Sequence, residues 1–190
     1  SVQSSLVIHP INEFGSQEQK DKYLPPLIKG EKIGCFGLTE SEAGSDPTSM
    51  KTSFKKTKDG YIINGSKNWI TNAPIADIFI IWAIEENKDH KSIKGFIIEK
   101  NTEGLNTSTI ENKTSLKISP TGQIILNNVF VPNNFCLENT EGWKSVFSCL
   151  NKARFGISWG VLGSASECWL IAKEYVENLS LIHISEPTRR

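Results

Sequence analysis

The spacing of apolar residues changes twice along this chain, and that change limits its fold more than any other feature. Between Ile33 and about Asn134 the apolar residues come in short runs separated by turn formers. Asp59-Gly60 and Asn64-Gly65 bracket Tyr61-Ile62-Ile63, and both dipeptides suit the positive-φ backbone of tight hairpin turns. Residues 78–84 are nearly all apolar, as in a strand buried on both faces. Phe96-Ile97-Ile98, Ile124-Ile125-Leu126 and Val129-Phe130-Val131 are three further strand candidates, the last ended by Pro132. Many short strands with turns between them predict a barrel or sandwich, not a doubly wound α/β sheet.

Helical spacing flanks this region. Leu6, Ile8 and Ile11 read as the end of a helix that Pro10 must kink or stop. Ser16 with Glu18 and Gln19 predicts a new helix start, and Lys29-Gly30 its stop, with Pro25-Pro26 shortening or bending the element. After Gly142, Val146, Leu150, Ala153, Ile157, Val161, Ser164, Cys168, Ile171 and Tyr175 recur at three- and four-residue steps, which predicts one long amphipathic helix. Gly156, Gly160 and Gly163 lie within it. Each costs about 1 kcal/mol against alanine, so either a neighbouring helix or a ligand approaches that backbone closely. The order is helix, β region, long helix, an α+β arrangement.

The chain is 190 residues long, enough for one domain or a domain with part of another. Its 21 basic and 21 acidic residues cancel, which argues against nucleic acid or an anionic membrane as main partner. The longest uncharged apolar run, residues 155–166, is too short to span a bilayer. The first residues lack an initiator Met and a signal sequence, as expected for a chain that begins inside a longer protein. Cys35, Cys136, Cys149 and Cys168 are scattered and far in sequence from His9, His90 and His183, so they read as buried free thiols in a reducing compartment, with no metal site. Residues 180–190 break the helical stripe, and their string L-I-H-I-S-E-P-T-R-R resembles a translated sequencing adapter; they are set aside as a suspected artefactual tail.

Two segments carry possible chemistry. Residues 34–46 start as a strand and enter a loop rich in hydroxyls, glycine and carboxylates, where Gly37 and Gly44 let the main chain approach a ligand. The same composition is also that of a plain turn with Asx and Ser/Thr hydrogen bonds. In Ser66-Lys67-Asn68-Trp69-Ile70-Thr71-Asn72-Ala73, Trp69 and Thr71 stand two apart and share a strand face. An indole there either packs into a barrel core or stacks on a flat heterocycle whose edge meets the hydroxyl. No nucleophile–base pair, zinc-protease motif or phosphate loop is present.

Together, F-G-L-T-E-x-x-A-G-S-D (residues 36–46) and N-G-x-K-x-W-I-T-N (64–72) resemble the paired signature of the acyl-CoA dehydrogenase family of flavoproteins. The resemblance implies the end of an N-terminal helical domain (1–32), a middle β-barrel domain (33–141) and the first long helix of a C-terminal bundle (142–179). It implies FAD bound between the middle and C-terminal domains, and removal of two hydrogens from the α and β carbons of an acyl-CoA. Phe36, Gly37, Leu38, Thr39, Glu40, Gly44 and Ser45 would run past the flavin, with Trp69, Ile70 and Thr71 as its other wall. Ser45, Phe147, Leu150, Asn151 and Arg154 would meet the acyl-CoA.

Within the family, S-V-Q-S-S-L-V-I-H-P-I, G-C-F-G-L-T-E and A-R-F-G-I-S-W-G-V-L-G-S-A most resemble the members that oxidise and decarboxylate glutaryl-CoA to crotonyl-CoA. These pass electrons to electron-transfer flavoprotein, and Ser1 matches a serine of their carboxylate pocket. The family's catalytic base is a Glu of the C-terminal domain, and the usual R-x-Q-F-G is replaced here by Asn178-Leu179-Ser180, so no catalytic residue is assigned and these 190 residues alone are expected to be inactive. The resemblance also implies a homotetramer, in the mitochondrial matrix of a eukaryote or the cytoplasm of a bacterium. An acyl-CoA dehydrogenase of other acyl specificity, a non-decarboxylating glutaryl enzyme and a non-catalytic β-barrel binding module are the other readings.

Overall fold

The computed structural model describes residues 1–88 and 92–179. They fall into two compact units, Ser1–Ala153 and a second that begins at Arg154. His90, His183 and the suspected tail 180–190 lie outside the described residues.

In the first unit a π-helical segment, Val2–Ile8, leads into helix α1 (His9–Phe14) and then helix α2 (Gln17–Ile28). Pro10 opens α1 instead of ending a helix, because a first-turn residue needs no amide donor. The Ser16 hydroxyl accepts from the Gln19 amide at 3.3 Å while the Gln19 side chain accepts from the Ser16 amide at 3.0 Å. This reciprocal cap contributes about 1 kcal/mol. Pro25 and Pro26 lie inside α2, which runs on to Ile28 and is not shortened by them. Burial of Tyr23 and Leu27 holds the turn that the missing proline amides would have bonded. The helix then closes at Gly30 (φ +74°), where the Glu31 amide donates to the Pro26 carbonyl.

Seven strands form one curled sheet among the described residues: β1 (Gly34–Gly37), β2 (Ser53–Lys56), β3 (Gly60–Thr71), β4 (Ile78–Glu85), β5 (Ile93–Glu99), β6 (Leu105–Thr109) and β7 (Thr121–Pro132). The path runs β1-β4-β2-β3-β7-β6, with β5 on the other edge of β4. β2 and β6 are short and mostly polar, so no apolar run announced them. Asp59-Gly60 stands at the β2–β3 turn as expected, though neither residue adopts the positive φ that the dipeptide favours. Asn64-Gly65 does not turn the chain; it sits inside β3, where the pairing to β7 slips between Ile63 and Gly65. The slip is matched on β7 by Asn128 (φ +50°), whose amide donates to the Asn64 side chain at 2.8 Å. The runs 124–126 and 129–131 are therefore one strand carrying a bulge, not two strands.

β4 explains its own composition. Ile78, Ile80, Trp82 and Ile84 pack in a core with Val7, Ile11, Leu27, Phe36 and Leu137. Phe79, Ile81 and Ala83 pack in a second core inside the curl, with Phe54, Tyr61, Phe96 and Ile124. Both faces are buried, so alternation disappears from the sequence.

Helix α3 (Trp143–Asn178) begins in the first unit, where Val146 and Cys149 join the helical core. From Arg154 onward its residues are exposed, including Ile157, Val161, Ile171 and Tyr175 of the expected stripe. A Cβ added to Gly156, Gly160 or Gly163 would meet nothing within 4 Å, so no neighbouring helix among the described residues accounts for them. Cys35, Cys136 and Cys149 are buried free thiols, whereas Cys168 is exposed on this uncovered stretch. No described helix is long and apolar enough to cross a membrane, and no described cluster suits a metal ion.

Candidate functional site

Two chain segments come together in the first unit. The first leaves β1, whose Phe36 pairs with Ile80 of β4, and continues through Leu38 and Thr39. The second is the end of β3, where the pairing to β7 slips again between Lys67 and Ile70. In that slip Trp69 adopts φ +59° and its amide donates to Asn68 Oδ1 at 3.0 Å. The positive φ breaks strand alternation and leaves the indole 59% exposed, unusual for so large an apolar surface.

Between them lies a groove of about 160 Å³. Phe36, Leu38 and Thr39 line one side and Trp69, Ile70 and Thr71 the other, with Val2, Leu6 and Leu150 completing it. The Thr39 and Thr71 hydroxyls make no hydrogen bond to any described residue. The groove thus offers apolar faces and two free hydroxyls that can donate or accept. Such a slot suits a planar ring with a polar edge.

The remaining candidates stand elsewhere. Gly37 is set by packing, since a Cβ there would lie 2.5 Å from Ile81 Cδ1. Glu40 points away from the groove into a buried ion pair with Lys67, at 2.8 Å. Gly44 and Ser45 are exposed in the loop beyond, and Ser1 is exposed at the chain start. Phe147 tilts against Trp143 at 6.0 Å, Asn151 is exposed, and Arg154 belongs to the second unit. Glu40 and Gly37 thus support the groove's walls, Glu40 through its ion pair and Gly37 through its close packing on Ile81.

That support centres on Lys67, the lysine of the N-G-x-K-x-W-I-T-N motif, for which the sequence alone suggests no role. Its side chain is fully buried and its ammonium donates to the Leu38 carbonyl at 3.1 Å as well as to Glu40. Glu40 in turn accepts from the Lys51 amide at 2.7 Å and the Thr52 amide at 3.0 Å. The Asn68 amide donates to the Thr39 carbonyl at 2.9 Å, tying the two walls directly. An acidic loop residue facing a lysine on an otherwise inward strand position was the signal available for this pair.

Burial alone would raise the Glu40 carboxyl, but the Lys67 charge and the bonds from Lys67, Thr52 and Lys51 outweigh it and hold the group below its ordinary range. Burial pulls Lys67 down to about 8, against the opposing pull of Glu40. A depressed carboxyl contributes stability that is present above its unfolded value and lost as pH falls through the folded one. Urea midpoints are thus expected to fall as pH drops below about 4, with a shallower fall in Glu40→Gln. Parallel slopes for the two proteins would contradict this.

Sequence profiles described as "Acyl-CoA dehydrogenase, middle domain" and "Acyl-CoA dehydrogenase, N-terminal domain" match residues 35–129 and 1–31. The short-chain specific acyl-CoA dehydrogenase of Clostridium acetobutylicum is 39% identical over 179 residues, 93% of this chain and 47% of that protein. The crystal structure of a glutaryl-CoA dehydrogenase from Mycobacterium smegmatis in complex with FADH2 superposes with a TM-score of 0.82 at 43% identity, over 86% of this chain and 42% of that one. Butyryl-CoA dehydrogenase from Megasphaera elsdenii gives a TM-score of 0.85 at 35% identity, over 94% and 47%. The helices and the curled sheet are thus those of an acyl-CoA dehydrogenase module. The chain belongs to the acyl-CoA dehydrogenase family, and spans about half the length of the curated relatives it matches.

Proposed function

We propose that this chain is the N-terminal and middle part of an FAD-dependent acyl-CoA dehydrogenase that oxidises and decarboxylates glutaryl-CoA and passes electrons to electron-transfer flavoprotein. The observation that carries the reading is the one groove lined by both motifs, with apolar walls and two hydroxyls that no described residue bonds. Phe36, Leu38, Trp69 and Ile70 would hold the flavin ring, and the Thr39 and Thr71 hydroxyls its polar edge. FAD supplies an oxidant that takes up the hydrogens removed from the acyl chain. Donors aimed at a ring that becomes electron-rich favour its reduced state. The bulge at Trp69 places that residue on the groove's lining, which is apolar apart from the two threonines.

No carboxylate of this chain is assigned the proton abstraction. Glu40 is committed to Lys67, and Glu42 stands exposed in the loop. Leu150 lines the groove and is the substrate candidate with support here; Ser45, Phe147, Asn151, Arg154 and Ser1 remain part of the proposal on resemblance alone. The homotetramer and the address, mitochondrial matrix or bacterial cytoplasm, rest on the same footing.

A second reading follows from the relatives in Clostridium acetobutylicum and Megasphaera elsdenii described as short-chain specific. The test is the purified full-length protein, mixed without oxygen with glutaryl-CoA or butyryl-CoA while the flavin absorbance is followed. Rapid bleaching by glutaryl-CoA with release of carbon dioxide is expected. Bleaching by butyryl-CoA alone would favour the short-chain reading, and a colourless protein would remove the flavin assignment altogether.

A further inference from the structure

We propose that Lys67 is a positioning residue for the ring groove: its buried ammonium holds the Leu38 carbonyl and so fixes the spacing between the Leu38–Thr39 wall and the Trp69–Thr71 wall. The proposal rests on the flavin reading above and adds to it a residue that touches neither ring nor substrate. Lys67 belongs to the second wall through its backbone in β3, two residues before Trp69. It reaches the first wall through its side chain, at 3.1 Å from the Leu38 carbonyl. Glu40, at 2.8 Å, keeps the ammonium charged and aimed, and is itself held by the Lys51 and Thr52 amides. On its remaining side Lys67 meets only the Met50 sulfur, at 3.8 Å, so among the described residues Glu40 is the titratable group that faces it.

Leu38 makes the coupling specific. Its side chain is 5% exposed and lines the groove, while its carbonyl is spoken for by Lys67. Loss of that donor leaves a buried carbonyl unsatisfied, and the segment relaxes by turning the peptide toward another donor. The Thr39 hydroxyl moves with it. A lysine that merely added stability would leave ring binding unchanged in any variant that still folds.

The double variant Glu40→Gln/Lys67→Met removes both charges together and keeps the volume, which buried pairs tolerate. In the full-length holoprotein it is expected to fold cooperatively yet weaken FAD binding at least tenfold, with the visible flavin band shifted toward that of free FAD. Glu40→Gln alone keeps the lysine and is expected to weaken FAD binding about threefold, and it decides the matter if the double variant does not fold. FAD affinity and visible spectrum equal to the unaltered protein in either folded variant would overturn the proposal. A wild-type protein that binds no FAD would instead overturn the flavin reading on which it stands, so the two failures are distinct.

Discussion

Lys67→Met alone is expected to cost about 3–5 kcal/mol of stability, the usual cost of stripping one partner from a buried ion pair. Glu40 is 8% exposed and would keep its charge beside only the Lys51 and Thr52 amides, with the Leu38 carbonyl also bereft of a donor. Against a typical total of about 5–15 kcal/mol this is a large fraction. Urea unfolding followed by far-ultraviolet dichroism measures it. A loss below about 1 kcal/mol would mean that water reaches the pair and screens it as at a surface. Neutralising both residues is expected to recover most of the loss, because the desolvation cost disappears along with the attraction.

Gly65→Ala is the second large effect, about 3 kcal/mol from backbone strain and overpacking together. The residue sits at φ +146°, and an added Cβ would lie 2.7 Å from both Cα and Cβ of Thr52. Neither atom is the free end of a flexible chain, so the β2–β3 pairing itself must move. Gly44→Ala is the control: nothing lies within 4 Å of its added Cβ, and its effect should stay within about 0.5 kcal/mol. Thermal unfolding of the two variants side by side checks both. Equal midpoints would show that the bulge accommodates a side chain after all.

The same residue shows where sequence reasoning stopped. Asn64-Gly65 was read as a hairpin because the dipeptide favours positive φ, and Gly65 does have it, but a bulge needs it as much as a turn does. Only the pairing of Ile63 with Val129 and Gly65 with Leu126 separates the two, and pairing is a long-range fact. The α2 cap, the doubly buried β4 and the long α3 were legible because each depends on neighbours in sequence. The six groove residues were legible through the family resemblance, not through alternation, since Trp69 reaches the groove by a bulge. Lys67 was missed because its partners, Leu38 and Glu40, lie 29 and 27 positions away. The Glu40 ion pair was hidden for the same reason: its counter-ion stands on another strand, 27 positions away.

The division of β4 between two cores bears on how the groove would be lost on heating. Odd and even side chains of one strand anchor opposite sides of the first unit, and β1, which carries Phe36, hangs on that strand through four paired residues. A one-residue slip would exchange Trp82 with its smaller neighbours in both interiors at once. The lip that carries Phe36 should therefore melt with the whole unit and not ahead of it.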